Sequence, residues 1–144
     1  MATIFANYMF DQSNLNLNRL YANAFDVSMF DDVYLNYNGV SYRDAYIVDW
    51  YLGGYYASAF GGDHIAVDGQ LNVTGGTVTG YLELVSTRSG YTELWGIQGI
   101  AIPARTLYEA AMTYSTTDES ALINSALEGD DSFYLSGGND VAFG

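Results

Sequence analysis

The chain has 144 residues, 49% hydrophobic and 16% aromatic, which is enough for a core of its own and too apolar for disorder. Seventeen acidic residues stand against four arginines and no lysine, a formal charge of −13 that repels nucleic-acid phosphate and anionic lipid. Cysteine is absent, which removes disulfides and thiolate chemistry, and no apolar run is long enough to span a membrane as a helix.

Residues 1–30 are rich in Asn, Tyr, Phe and Met with poor periodicity and read as short strands or a short helix. The opening residues have no basic segment followed by a long apolar run, so a cleavable signal peptide is not expected. From Val33 the pattern sharpens: Val33, Leu35 and Tyr37 alternate, Asn38-Gly39 follows, and Val40 and Tyr42 resume the alternation, which predicts a hairpin. A strand is expected over Tyr46 to Tyr51. Gly53-Gly54 and Gly61-Gly62 read as punctuation. Beyond them, antiparallel strands run to about Ile102, broken at Gly75-Gly76 and turning at Arg88-Ser89-Gly90.

The period changes at Pro103. Leu107, Ala110, Ala111 and Tyr114 recur at helical spacing behind a proline suited to a first helical turn. A second helix is expected from near Thr117, with Thr116 and Glu119 as a capping box, Leu122, Ile123, Ala126 and Leu127 as its apolar face, and Gly129 ending it. The expected class is therefore α+β, mainly antiparallel β-sheet with a C-terminal helical pair.

The last sixteen residues carry the most specific signal. Gly129 and Gly138 are nine residues apart, as are Asp131 and Asp140, each aspartate followed two positions on by an apolar residue, Phe133 or Ala142. This is the grammar of nonapeptide β-roll repeats, in which glycines permit sharp turns and aspartates supply hard oxygen ligands. Together with Gly75-Gly-Thr-Val-Thr-Gly80, Gly96-Ile-Gln-Gly-Ile100, Ala126-Leu-Glu-Gly-Asp-Asp131 and Ser136-Gly-Gly-Asn-Asp-Val141, residues 65–144 resemble the domain that precedes the repeats in bacterial RTX-type exoproteins. The resemblance implies a β-rich head at 1–128 and the start of a parallel β-roll at 129–144. It implies type I secretion, an extracellular location, and calcium as cofactor, with Gly129, Asp131, Gly137, Gly138, Asn139 and Asp140 forming calcium half-sites. Its function is then non-enzymatic: a surface, adhesive or self-assembling role.

Other candidates are weaker. His64 is the single histidine, so catalytic triads and zinc clusters are not expected; with Tyr55 it frames the alternative, a hemophore-like protein binding haem. Acidic pairs at Asp31-Asp32 and Asp130-Asp131 carry no mark of a glycosidase. The fourteen tyrosines, seven of them between Tyr34 and Tyr56, read first as cross-strand packing. The other reading is a surface for self-association, as homo-oligomer or filament, or for carbohydrate on a cell surface.

Overall fold

The computed structural model describes residues 1–142. A seven-stranded sheet dominates, built from β1 (Thr3–Ala6), β2 (Ala24–Phe30), β5 (Asp44–Tyr51), β6 (Tyr55–Val67), β7 (Val73–Thr87), β8 (Gly90–Pro103) and β9 (Ser132–Tyr134). The spatial order is β2-β5-β6-β7-β8-β1-β9, and every pairing is antiparallel except the one between β1 and β9. A small hairpin of β3 (Leu35–Tyr37) and β4 (Val40–Tyr42) stands apart from the sheet. Among the described residues, a 3-10 turn (Gln12–Asn14) and three α-helices complete the fold: α1 (Asn18–Ala22), α2 (Ala104–Ala111) and α3 (Thr117–Ala126). The expected mainly antiparallel sheet with a C-terminal helical pair is what is found.

Alternation decides which face each strand buries. Ile4, Val48, Trp50, Phe60, Tyr81, Trp95 and Ile97 point to the face that the helices cover, and all are nearly inaccessible. Rings run across this face from Tyr46 to Phe60, Tyr81, Trp95 and Phe10, with successive centroids 4.9–6.1 Å apart. Much of the aromatic content is therefore cross-strand packing. Helix α2 follows Pro103 and inserts Ala104, Leu107 and Ala111 against the sheet. That interior is tight, leaving only about 10 Å³ free among Tyr21, Tyr46, Phe60 and Leu107.

The opposite face is built from small residues. Gly61 and Gly80 are cross-strand partners, and the Tyr42 side chain from the β3–β4 hairpin lies over both; a Cβ on either would come within 2.5 Å of it. Phe5 lies over its cross-strand partner Gly96 in the same way. The hairpin turn is Asn38-Gly39, with positive φ at both residues (48° and 78°), as the Asn-Gly signal requires.

Four local expectations are corrected. Gly61-Gly62 does not end a strand: it lies inside β6, where Gly61 clears the Tyr42 ring and Gly62 sits at a register shift against the Thr77 carbonyl. Gly75-Gly76 lies inside β7, with Gly76 at φ 95° pressed against the His64 backbone. Tyr114 is fully exposed, because α2 has already ended at Ala111. Thr116 has helical backbone angles and no side-chain cap, and the capping-box partner Glu119 is turned inward instead.

Candidate functional site

The 129–142 segment folds back on the N-terminal residues at two points of matching geometry. At the first, the Ala2 amide donates to Asp131 Oδ1 (2.7 Å) and the Ser132 amide donates to the Ala2 carbonyl (3.0 Å). At the second, the Phe10 amide donates to Asp140 Oδ1 (2.7 Å) and the Val141 amide donates to the Phe10 carbonyl (2.7 Å). The nine-residue spacing thus has a structural counterpart: each aspartate caps an amide and the next residue pairs in parallel alongside. Ser136 also donates to both Asp140 oxygens, and the Gly138 amide donates to Ser136 Oγ.

These contacts bear directly on calcium. Asp131 and Asp140 dock at separate points, each with Oδ1 occupied by a backbone donor, while Gly129 (φ 122°), Gly137 and Asn139 are exposed. Among the described residues the single group of three acidic side chains able to share an ion is Asp31, Asp32 and Asp44. That group is a backbone clasp. Buried Asp44 accepts the amides of Asp32 (2.9 Å) and Ile65 (2.9 Å); burial pushes its carboxyl up, and these amides with the Asp31 hydrogen bond and the nearby Arg43 charge together hold it below the usual range. Asp31 is raised by its hydrogen bond to Asp44, and Asp32 is paired with Arg43 at 2.6 Å.

The haem pair is not brought together. Tyr55 opens β6 and His64 lies nine residues along it, about 30 Å away at the usual strand rise. Both imidazole nitrogens of His64 are occupied, Nε2 by Arg43 (2.9 Å) and Nδ1 by Asp63 (3.0 Å). Tyr55 packs edge-on to Phe25 and Tyr51.

A concavity with a buried polar network at its floor lies elsewhere, where residues 8–17 cross the helix-covered face before entering α1. This open groove has a volume of about 310 Å³. Its wall is the N-terminal segment, including Tyr8, Phe10, Asn14 and Asn16; its floor is Trp50, Tyr56, Glu83 and Trp95, with Arg19 reaching in from α1. Glu83 is 3% exposed yet fully partnered. Arg19 Nη2 donates to both its oxygens (3.1 Å each), the Tyr81 hydroxyl donates to Oε1 (3.2 Å) and the Trp95 indole to Oε2 (3.2 Å). The chain of donors continues outward, since the Trp50 indole donates to Ser58 Oγ (3.1 Å) and Ser58 to Tyr81 (2.9 Å). Arg19 also lies over the Trp50 ring at 5.3 Å, and that ring stacks on Tyr56 at 4.4 Å. One carboxylate thereby orients two tryptophans, a tyrosine and a guanidinium.

Two features fix the groove wall. Leu17 at the entry to α1 donates its amide to Oε1 of the fully buried Glu119 (3.1 Å), whose carboxyl burial and the adjacent Asp118 push up to about 7. Phe10 and Gln12, in mid-wall, are held by Asp140 and by the Val141 carbonyl. The glycine–aspartate segment therefore braces the groove.

Sequence reasoning passed over Arg19, Glu83, Trp50 and Trp95. One signal was there: Glu83 occupies an inward position of a strand, in step with Tyr81, and a chain with four cations spends one of them on it. No family model matches the chain, and neither a curated protein nor a solved structure is found similar to it. Among the described residues, no helix is long and apolar enough to cross a membrane.

Proposed function

We propose that this chain is a non-enzymatic, extracellular binding head of the RTX type, with a surface or adhesive role, and that it binds its ligand in the groove between residues 8–17 and the sheet. The observation that carries the reading is the state of Glu83. The one carboxylate at the groove floor accepts four hydrogen bonds and has no lone pair left for acid–base or nucleophilic work, whereas it holds the surrounding rings in place. A preorganised aromatic floor beside a fixed guanidinium suits recognition.

The nonapeptide spacing supports the RTX-type assignment, as does the parallel pairing of β9 with β1, the pairing a β-roll uses. Export without an N-terminal signal follows from that assignment. Calcium belongs to it as well, acting where glycine–aspartate loops face further loops; here Asp131 and Asp140 each give one carboxylate oxygen to a backbone amide, at separate points. The role in self-association rests on exposed Phe25, Tyr51 and Tyr55 beside the edge strand β2.

The test is a panel of small molecules spanning sugars, amines and carboxylic acids, followed by tryptophan fluorescence, because Trp50 and Trp95 both line the groove. Saturable binding with the ligand recovered unchanged supports the proposal. Chemical conversion of a bound member, lost on Glu83→Gln, overturns it.

A further inference from the structure

We infer that the groove takes a neutral carbohydrate ring, an assignment that rests on the binding-head proposal and narrows it to one ligand class. Size comes first. A volume of about 310 Å³ lies at the lower end of small-molecule sites, roughly 300–1,000 Å³, and suits one sugar ring with its water rather than a dinucleotide or an extended peptide.

Charge decides the ligand's sign. Arg19 brings the groove's one cation and Glu83 neutralises it at 3.1 Å, while the Asp11 carboxylate at the wall accepts from the Ser13 amide and from Asn14, in a molecule of net charge −13. A phosphate or carboxylate entering here meets a guanidinium already paired and an unfavourable overall field. A hydroxyl or ring oxygen meets no such penalty.

The polar groups left over then match a polyol. Arg19 spends Nη2 on Glu83, while Nη1 has no partner among the described residues and the side chain is 40% exposed. Asn16 Oδ1 accepts from the Asn18 and Arg19 amides, which leaves its Nδ2 as a donor. Asn14 donates Nδ2 to Asp11, which leaves its Oδ1 as an acceptor. Two free donors and a free acceptor thus border one cavity, and neighbouring hydroxyls act as donor and acceptor at once. Half-exposed Tyr8 at the rim and Tyr56 on the floor add ring faces on which the apolar side of a sugar can lie. An apolar ligand would strand these polar groups.

Another hollow, beneath the β3–β4 hairpin, shows the contrast. Its volume is about 150 Å³, it is lined by Phe5, Leu35, Tyr42, Ala59 and Leu82, and no charged side chain lines it.

The experiment titrates the full chain with free glucose, galactose, mannose and N-acetylglucosamine, and with glucuronate as the charged counterpart, reading tryptophan fluorescence and calorimetry. At least one neutral sugar is expected to bind saturably, and about tenfold or more tightly than glucuronate. Tyr8→Ala is expected to weaken that binding about tenfold without lowering the melting temperature, since Tyr8 is exposed; Tyr114→Ala, at an exposed position outside the groove lining, changes nothing. Tighter binding of glucuronate, or sugar binding indifferent to Tyr8→Ala, overturns the assignment. Saturable binding of an amine or an apolar compound in the groove, with none by sugars, overturns the sugar class but leaves the binding head standing. If no small molecule of any class binds, both fall.

Discussion

The two faces of the central sheet are packed by opposite means. The helix-covered face carries large rings, Trp50, Phe60, Tyr81 and Trp95, and accommodates a buried charge among them by supplying every oxygen of Glu83 with donors. The other face sets Gly61, Gly80 and Gly96 beneath single rings from Tyr42 and Phe5. The lesson concerns where recognition can arise. Bulky side chains that cannot close over a polar network leave a groove with directional groups, whereas a smooth, glycine-lined surface accepts a lid and leaves a small apolar hollow.

The largest expected effect probes the network. Glu83→Ala leaves Arg19 unpaired and the Trp95 and Tyr81 donors unsatisfied, and unfolding by urea should show a loss of about 3–5 kcal/mol. Glu83→Gln keeps the volume and should lose less, with ligand binding impaired through displaced tryptophans. A loss below about 1 kcal/mol in the alanine variant would mean that the network does not organise this face.

On the glycine face, Gly80→Ala drives a methyl into the Tyr42 hydroxyl and should cost about 1–3 kcal/mol by the same measurement. Ligand binding at the groove should be unaffected once the protein is folded, which separates the two faces. Gly39→Ala, with open space around its Cβ but φ at 78°, should cost about 1 kcal/mol through backbone strain alone.

The brace between the tail and the groove wall gives an intermediate effect. Asp140→Asn weakens a charge-assisted bond to the Phe10 amide and should cost about 1–2 kcal/mol, with faster hydrogen exchange at Phe10 and Gln12. Calcium offers a check on the same residues: with Asp131 and Asp140 each holding a backbone amide through Oδ1, at separate points, millimolar calcium should leave the melting temperature of this chain unchanged. A large calcium-induced rise abolished by Asp140→Asn would contradict the brace.

The smallest effect is pH-linked. Glu119 has its carboxyl raised to about 7 in the folded protein against an ordinary value near 4.5. The folded state therefore holds an extra proton between these values, so this contribution is fully present below about pH 4.5 and is lost as pH rises through about 7. Glu119→Gln should flatten that part of the stability profile and leave the protein relatively more stable at pH 8. An unchanged slope between pH 4.5 and 7 would count against it.

Much of the fold was readable in the chain because it follows local rules. The Asn38-Gly39 turn, the turn at Arg88-Ser89-Gly90 and the onset of α3 at Thr117 all lie where propensity and backbone geometry place them. The glycine pairs inside β6 and β7 were misread as breaks because their cause is non-local: a tyrosine nineteen residues upstream of Gly61, and the bulged crossing of the His64 backbone at Gly76. Glu119 shows the same limit, since a local cap was the expectation and a partner 102 residues away claims the carboxylate. The groove was harder still. Arg19, Trp50, Glu83 and Trp95 come from four separate elements, and no spacing in sequence joins them. The nine-residue period was visible, but its use as a pair of amide caps depends on Ala2 and Phe10 at the other end of the chain.

The most direct test is amide and indole chemical-shift mapping of the isotopically labelled chain with whichever neutral sugar binds. The expected result is a set of shifts at Tyr8, Asn16 and Arg19 and at both the Trp50 and Trp95 indole N–H groups, with Leu35–Tyr42 unmoved. Shifts confined to that hairpin and to the Gly61–Gly80 face, with both indoles silent, would contradict the account.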